Sequence, residues 1–312
     1  MKVLVTGGAG FIGGHLIDAL LAQNAEVRVI DNFSTGRREN IDRVRDRIDF
    51  IEADICDPEA IARAVHGVEL VFHEAAIPSV SRSVADPVAS NQANVGGTVS
   101  VLNAARLAGV RKLVYAASSS AYGDTPTLPK IETMTPRPMS PYAISKLAGE
   151  QYVTVFGKLY GFETVSLRYF NVFGPRQDPK SEYAAVIPRF VTTILAGQRP
   201  VIFGDGEQTR DFVFVEDVCA ANMLAATSPK AGRGEVFNVG NGAVTTIRAL
   251  AQAIIEITGS ASEIRHAPER AGDIRHSRAQ VDALREQLGF DAAVALREGL
   301  AQAVAAWRAR VT

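Results

Sequence analysis

Cysteine is nearly missing from this sequence: among 312 residues only Cys56 and Cys219 occur, and their separation fits neither a metal-binding pair nor a disulfide framework. Excess charge of one sign is missing too. Lys plus Arg number 33 against 34 Asp plus Glu, a net charge of −1, which gives no field for gathering nucleic acid or an anionic membrane. Arg37-Arg38 and the alternation Arg43, Arg45, Arg47 sit among acidic neighbours and read as solvated surface. No apolar run approaches the roughly 20 residues that span a bilayer. The start runs straight from a short strand into a glycine turn, without a basic, apolar leader. There is no internal repeat and no low-complexity tract. These absences lead us to expect a cytoplasmic protein without a nucleic-acid or membrane partner and without a metal.

What is present is apolar residue content of 47% distributed in short runs, enough for one large core and a smaller lobe. Strands are expected at Val3–Thr6, Val27–Ile30, Phe50–Ala53, Leu70–His73, Lys112–Ala116 and Thr164–Tyr169. Helices alternate with them near Phe11–Gln23, Pro58–Val65, Pro87–Leu107 and Pro141–Tyr160, with Asp57-Pro58, Asp86-Pro87 and Ser140-Pro141 as cap-then-proline starts. This alternation predicts an α/β fold, a Rossmann-like doubly wound parallel sheet. After Tyr169 the rhythm breaks into Gly, Pro and charge, which suggests a smaller α/β lobe for the substrate. The chain is expected to rejoin the sheet at Phe212–Val215, with a helix from Asp217, and again at Val236–Val239. Outer helices are expected at Thr246–Thr258 and Leu296–Arg310. The division is therefore 1–169 with returning segments over about 210–240, and 170–209 with 241–312.

The first strand leads into Thr6-Gly7-Gly8-Ala9-Gly10-Phe11-Ile12-Gly13. Gly7, Gly10 and Gly13 form a G-x-x-G-x-x-G dinucleotide loop: Gly7 for the tight turn, Gly10 for approach to a pyrophosphate, Gly13 for helix–strand packing. The helix start at Phe11 and Ile12 would offer free N–H groups to phosphate. Asp31, with Asn32, ends the second strand; its carboxylate suits ribose hydroxyls and repels a 2′-phosphate, so NAD is favoured over NADP. Asp54 and Ile55 after the third strand fall where adenine should sit, and Ala75 and Ala76 after the fourth leave room for the cofactor; a turn and ordinary packing are their plain alternatives.

Ser118-Ser119-Ser120 ends the fifth strand, and Tyr142 and Lys146 share one face of the helix opened by Ser140. A free phenol has a pKa of roughly 10, and an adjacent ammonium favours the phenolate a general base needs. The spacing therefore predicts that Lys146 lowers the Tyr142 phenol. His73 ends a buried strand and reads as a packed core group; His266 and His276 lack ligand spacing.

The glycine loop, the serine triplet, Tyr142-x-x-x-Lys146, Arg168-Tyr169-Phe170-Asn171, Gly204-Asp205-Gly206 and Arg210-Asp211 resemble the extended short-chain dehydrogenase/reductase family, and within it the NAD-dependent nucleotide-sugar 4-epimerases. The likeness implies bound NAD, a UDP-sugar substrate and a homodimer built as a four-helix bundle from Pro87–Leu107 and Pro141–Tyr160. It implies Tyr142 as base, aided by Lys146, and Ser118 as the group orienting the sugar C4 hydroxyl. Asn94 and Tyr169 match cofactor positions. Ser79, Ser119, Ser120, Asn171, Gln177, Ala185, Val186, Phe203, Arg210, Arg270, Asp273 and Ser277 match substrate positions, Arg210 toward phosphate, Phe203 toward uracil and Ser277 as gatekeeper. Without the likeness, Arg210-Asp211 reads as a surface ion pair and Phe203 as a core strand residue.

Ser119 and Ser120 stand where 4,6-dehydratases carry Asp-Glu, and Ser120 where UDP-glucuronate decarboxylases carry Glu, so those activities are disfavoured. The segments Phe173–Pro179 and Tyr183–Pro188 are similar to epimerases of UDP-N-acetylglucosamine, although Pro78 replaces a Gly seen there. A relaxed epimerase for UDP-GlcNAc and UDP-Glc types is expected. UDP-glucuronate epimerisation, a nucleotide-sugar dehydrogenase with exchangeable NAD(P), and a silent dinucleotide-binding regulator stand as alternatives.

Overall fold

The computed structural model describes residues 1–178, 185–269 and 274–311. The first half alternates strand and helix: β1 (Lys2–Thr6), α1 (Phe11–Ala22), β2 (Glu26–Asp31), α2 (Arg38–Asp42), β3 (Ile48–Glu52), α3 (Pro58–Val65) and β4 (Leu70–His73). Helices α4 (Val80–Ala85), α5 (Pro87–Asn91) and α6 (Gly97–Leu107) lead to β5 (Lys112–Ser118), α7 (Pro141–Leu159) and β6 (Glu163–Tyr169). A short crossing segment follows, with β7 (Asn171–Phe173), α8 (Val186–Leu195), β8 (Val201–Phe203), β9 (Thr209–Arg210) and β10 (Phe212–Phe214). The chain ends with α9 (Val215–Thr227), β11 (Arg233–Val239), β12 (Thr245–Thr246), α10 (Ile247–Thr258), β13 (Arg265–Ala267), α11 (Asp282–Leu288) and α12 (Leu296–Val311).

Seven strands form one parallel sheet in the order β11-β6-β5-β4-β1-β2-β3. Both faces are covered, so neighbouring residues of one strand enter different cores: Val3 and Val5 pack with Leu16, Ile17 and Val218, while Leu4 packs with Ile61, Leu102 and Val153. The order reverses direction between β1 and β4, and the strand ends there open onto a crevice, the usual ligand site of such sheets. The expected Rossmann-like α/β fold is what the chain adopts. A third core, with Phe190, Phe214, Leu250, Ile254, Leu300 and Trp307, holds the smaller lobe.

Two expectations need correction. Phe212–Phe214 does not rejoin the main sheet; it pairs in parallel with β7, and only β11 returns, against β6. The cause is the side chains: Phe212 and Phe214 turn their rings onto Phe173 in the smaller core, at 6.3 and 5.5 Å, while Val213 faces the core of the large sheet. The long helix expected over Pro87–Leu107 is broken by a π turn at Gln92–Gly96. There the Asn94 side chain turns inward, bonding Ile77 N at 2.7 Å and Ser145 Oγ at 3.0 Å, and Gly97 passes so close to Ile55 that a Cβ would lie 2.5 Å from Ile55 Cδ1.

Candidate active site

The glycine loop joins β1 to α1 at the crevice. Gly7 takes a positive φ of +71°, and a Cβ on it would lie 2.6 Å from Ala75 N. A Cβ on Gly13 would lie 2.4 Å from Gly7 O, so the helix can enter beneath the loop only with glycine there. Gly10 caps α1 without a side-chain acceptor, which leaves the first-turn N–H groups of Phe11 and Ile12 available to a ligand. A cavity of about 570 Å³ runs from this loop past Asp31, Asn32, Asp54 and Ile55 to Ala75, Ala76 and Ser79.

Asp31 is 8% exposed; its carboxylate accepts from Ala9 N at 2.9 Å and Phe33 N at 2.7 Å. Burial pushes its pKa up and those two N–H groups oppose the rise. Arg37 pairs with Glu39 at 2.8 Å, and Arg38 forks onto Glu52 at 2.6 and 3.1 Å while covering the Phe33 ring. Both neighbouring arginines thus hold acidic partners, and the ribose end is left to a carboxylate. Asn32 and Asp54 bond each other at 2.8 Å. The cradle of three glycines, the open helix start and the ribose-facing acid fit NAD.

Ser118, Tyr142 and Lys146 are not among the residues that line the cavity; Ser140 Oγ caps α7 by accepting from Ala143 N at 3.1 Å, with Pro141 at the first helical position. Ser118 Oγ lies 2.8 Å from Ser120 Oγ, and Ser119 and Ser120 open a 3₁₀ turn. The Tyr142 backbone N–H donates to Ser83 Oγ at 2.9 Å. Lys146 is 4% exposed, with Nζ 4.5 Å from the centre of the Tyr115 ring. Burial draws its pKa down to about 8, opposed first by Glu74 and then by Glu150. Burial pushes the Tyr142 phenol up and Ser118 opposes the rise, while the Lys146 ammonium lies over the Tyr115 ring. His73 is fully buried between Thr6 Oγ1 at 2.7 Å and Thr98 Oγ1 at 2.9 Å, a core group as expected.

Sequence reasoning missed Glu74. It borders the cavity, and its Oε1 accepts from Tyr169 Oη at 2.7 Å, which in turn accepts from Asn222 Nδ2 at 2.7 Å. The available signal was an acid directly after a four-residue apolar strand, at the crevice end of the sheet. Asn94 does not border the cavity; its amide is spent on Ile77 and Ser145. Arg176, also missed, borders the cavity with positive φ and binds Asp18 on α1 at 2.8 Å.

A second cavity of about 260 Å³ is lined by Asn171, Val186, Phe203 and Arg210. Gln177 and Ala185 line both cavities and join them. Arg210 Nη1 donates to Thr209 O at 2.9 Å, and the Phe203 ring faces the Arg189 guanidinium at 5.6 Å. Asp211 is not half of a surface ion pair: it is fully buried and accepts from Asn241 N, Gly242 N and Ala279 N at 2.8, 3.0 and 3.0 Å. Ser277 donates its N–H to Thr209 O at 3.2 Å and borders neither cavity. Arg270 and Asp273 lie outside the described residues. Among the described residues no cluster of His, Cys, Asp or Glu could hold a metal, and no helix is long and apolar enough to cross a membrane.

The chain is 45% identical over 312 residues to a UDP-glucose 4-epimerase of Mycolicibacterium smegmatis, covering 99% of each. Its fold superposes on a UDP-glucose 4-epimerase from Thermotoga maritima, solved with UDP-glucose, with a TM-score of 0.95, 40% identity and full coverage of both chains. A UDP-N-acetylglucosamine 4-epimerase from Methanobrevibacter ruminantium, in complex with UDP-N-acetylmuramic acid, gives a TM-score of 0.94 at 39% identity, covering 99% of this chain and 98% of that one. The model of the NAD dependent epimerase/dehydratase family matches residues 3–240. With its glycine cradle, its ribose-facing acid and this likeness along its whole length, the chain belongs to the NAD dependent epimerase/dehydratase family, and NAD is its cofactor.

Proposed function

We propose that the chain inverts C4 of a UDP-hexose, UDP-GlcNAc/UDP-GalNAc and UDP-Glc/UDP-Gal both being accepted. The observation that carries this is Tyr142 one turn before Lys146 on α7 with Ser118 at the end of β5, and with hydroxyls at Ser119 and Ser120 where dehydration or decarboxylation would need carboxylates. Gly7, Gly10, Phe11, Ile12, Gly13, Asp31, Asn32, Asp54, Ile55, Ala75 and Ala76 would hold NAD along the first cavity. When bound, NAD supplies a reversible acceptor for the C4 hydride.

The chain's own residues handle the proton and the geometry. Tyr142 Oη takes the proton of the C4 hydroxyl, which Ser118 Oγ orients, and returns it to the same oxygen once the sugar has presented its opposite face. Lys146 favours the phenolate by its charge. Asn171 and Arg210 hold the pyrophosphate, Phe203 packs on the uracil, and Gln177, Ala185 and Val186 border the sugar where the two cavities join. Because the hydride leaves and returns at one carbon, the reaction has no net redox change.

We further propose a homodimer. The outward face of α7 carries Ile144, Tyr152, Val155 and Leu159, all within one helical wedge, and the adjacent α4–α6 expose Val84, Val88 and Leu107.

The test gives purified protein, without added NAD, UDP-GlcNAc, UDP-Glc and UDP-GlcA in turn and resolves products by proton NMR. C4 epimers of the first two are expected, and Tyr142→Phe should slow their formation roughly a thousandfold. Turnover of UDP-GlcA alone would replace the substrate reading, and full activity of Tyr142→Phe would remove the base.

A further inference from the structure

Pro141 opens α7 without an N–H, which leaves those of Tyr142, Ala143 and Ile144 to be met in the first turn. Ser140 Oγ accepts from Ala143 N at 3.1 Å, and Ser140 O accepts from Ile144 N at 3.0 Å. The Tyr142 N–H goes to an acceptor on another element, Ser83 Oγ of α4, at 2.9 Å. Ser83 is fully buried, and its own hydroxyl donates to Val80 O at 2.6 Å, so the side chain is bonded in both directions. The Tyr142 carbonyl is tied as well: it accepts from Ser145 Oγ at 2.9 Å, which accepts in turn from Asn94 Nδ2 at 3.0 Å. Other residues of α4 border the first cavity. Ser79, which caps α4 by accepting from Arg82 N at 3.1 Å, and Arg82 both line it, as do Ile77 and Pro78 just before. α4 therefore touches both the cavity proposed to hold NAD and the helix that carries Tyr142.

We infer that Ser83 is a positioning residue for the reaction: by holding the Tyr142 N–H from α4, it fixes where the phenol stands relative to the wall of the cofactor cavity. This rests on the reading of Tyr142 as the base. A cap from the adjoining residue, as Ser140 supplies, sets where α7 begins but not where that end stands against α4. A bond from α4 sets the second. The sugar C4 hydroxyl has to come within hydrogen-bond reach of the phenol while C4 itself faces the cofactor, so the spacing between Tyr142 and the cavity wall is held by the chemistry to a fraction of an ångström.

The test takes the full chain saturated with NAD and whichever UDP-sugar of the series above the wild type turns over fastest. Ser83→Ala should lower kcat about tenfold per mole of bound NAD, with KM within about twofold of wild type and NAD content unchanged. Ser140→Ala removes the neighbouring bond of the same turn; it should lower the urea midpoint comparably and leave kcat within about twofold. Should Ser83→Ala not fold, Ser83→Cys, whose sulfur is a weak acceptor, reads the same split between kcat and KM. In a Tyr142→Phe background Ser83→Ala should slow the residual rate no further, because the bond acts through the phenol. Wild-type kcat in the folded Ser83 variant, or an equal fall in kcat for Ser140→Ala, would overturn the assignment. A fall that recurs in full in the Tyr142→Phe background would also overturn it and leave the base standing, whereas full activity of Tyr142→Phe alone would remove the base.

Discussion

At the scale of single residues, the glycine loop shows how little freedom the cofactor end has. The backbone of Gly7 touches that of Ala75, and Gly13 lies under Gly7 O, so a methyl group at either forces the loop from the sheet. Gly13→Ala should cost about 1–3 kcal/mol in stability by overpacking, and the purified variant should carry markedly less NAD than wild type, read as released dinucleotide after denaturation. These residues were legible in the sequence because each acts within its own turn. Tyr142, Lys146 and Ser118 were legible for the same reason: strand end and helix spacing place them. Glu74 was not, because its place at the cavity is fixed by Tyr169 and Asn222 on two other elements. Asp211 was misread on the same ground, since its three backbone donors come from positions 30 to 68 residues further along.

At the scale of elements, α7 presents two different faces. Its inner face is pared down: Gly149 faces Tyr115 Oη, 2.3 Å from where a Cβ would be, and Gly157 faces Thr164 Oγ1 at 2.4 Å on the same measure. The helix therefore lies flat on the sheet, and Tyr142 and Lys146 reach inward. Its outer face keeps the apolar stripe described above, with Leu159 69% exposed. Val155→Arg with Leu159→Arg should convert a dimer to a monomer in analytical ultracentrifugation at micromolar concentration, with the far-ultraviolet circular dichroism unchanged; a wild-type chain that already sediments as a monomer would remove the dimer. The helix ends on the sheet face were readable from caps and prolines, and Pro58–Val65 matches in both bounds. The π turn at Gln92–Gly96 was not readable, because one inserted residue leaves the apolar spacing on either side intact.

At the scale of the whole molecule, the buried histidines make stability depend on pH. Burial lowers His73 to about 3 and His15 to about 4, so between about 6.5 and those values the unfolded chain binds more protons than the folded one. Their contribution is complete above about pH 6.5 and is lost as pH falls, by an amount on the order of a few kcal/mol. Glu74 works the other way: raised to about 7, it favours the folded chain at lower pH and costs stability as pH rises through that value. Urea midpoints at fixed protein and NAD concentration should therefore fall from pH 6.5 to pH 4.5, and His73→Asn should flatten that fall; a midpoint independent of pH across this window would contradict it. The parallel sheet and the two-faced core followed from the strand–helix alternation, whereas the placing of β10 against β7 did not, since a three-residue run carries no sign of which neighbour it will join.

The edge strand β11 has a consequence for how the protein is made. Its residues 233–239 are paired with β6, and α9 covers the α1 face of the sheet, yet both follow β7–β10 and α8 in the chain. On a ribosome the nucleotide-binding sheet therefore stays one strand short, with the outer edge of β6 open, until a large part of the smaller lobe has already emerged. The two lobes are interleaved in synthesis, and the sheet that grips NAD is completed by chain that has first passed through the smaller core.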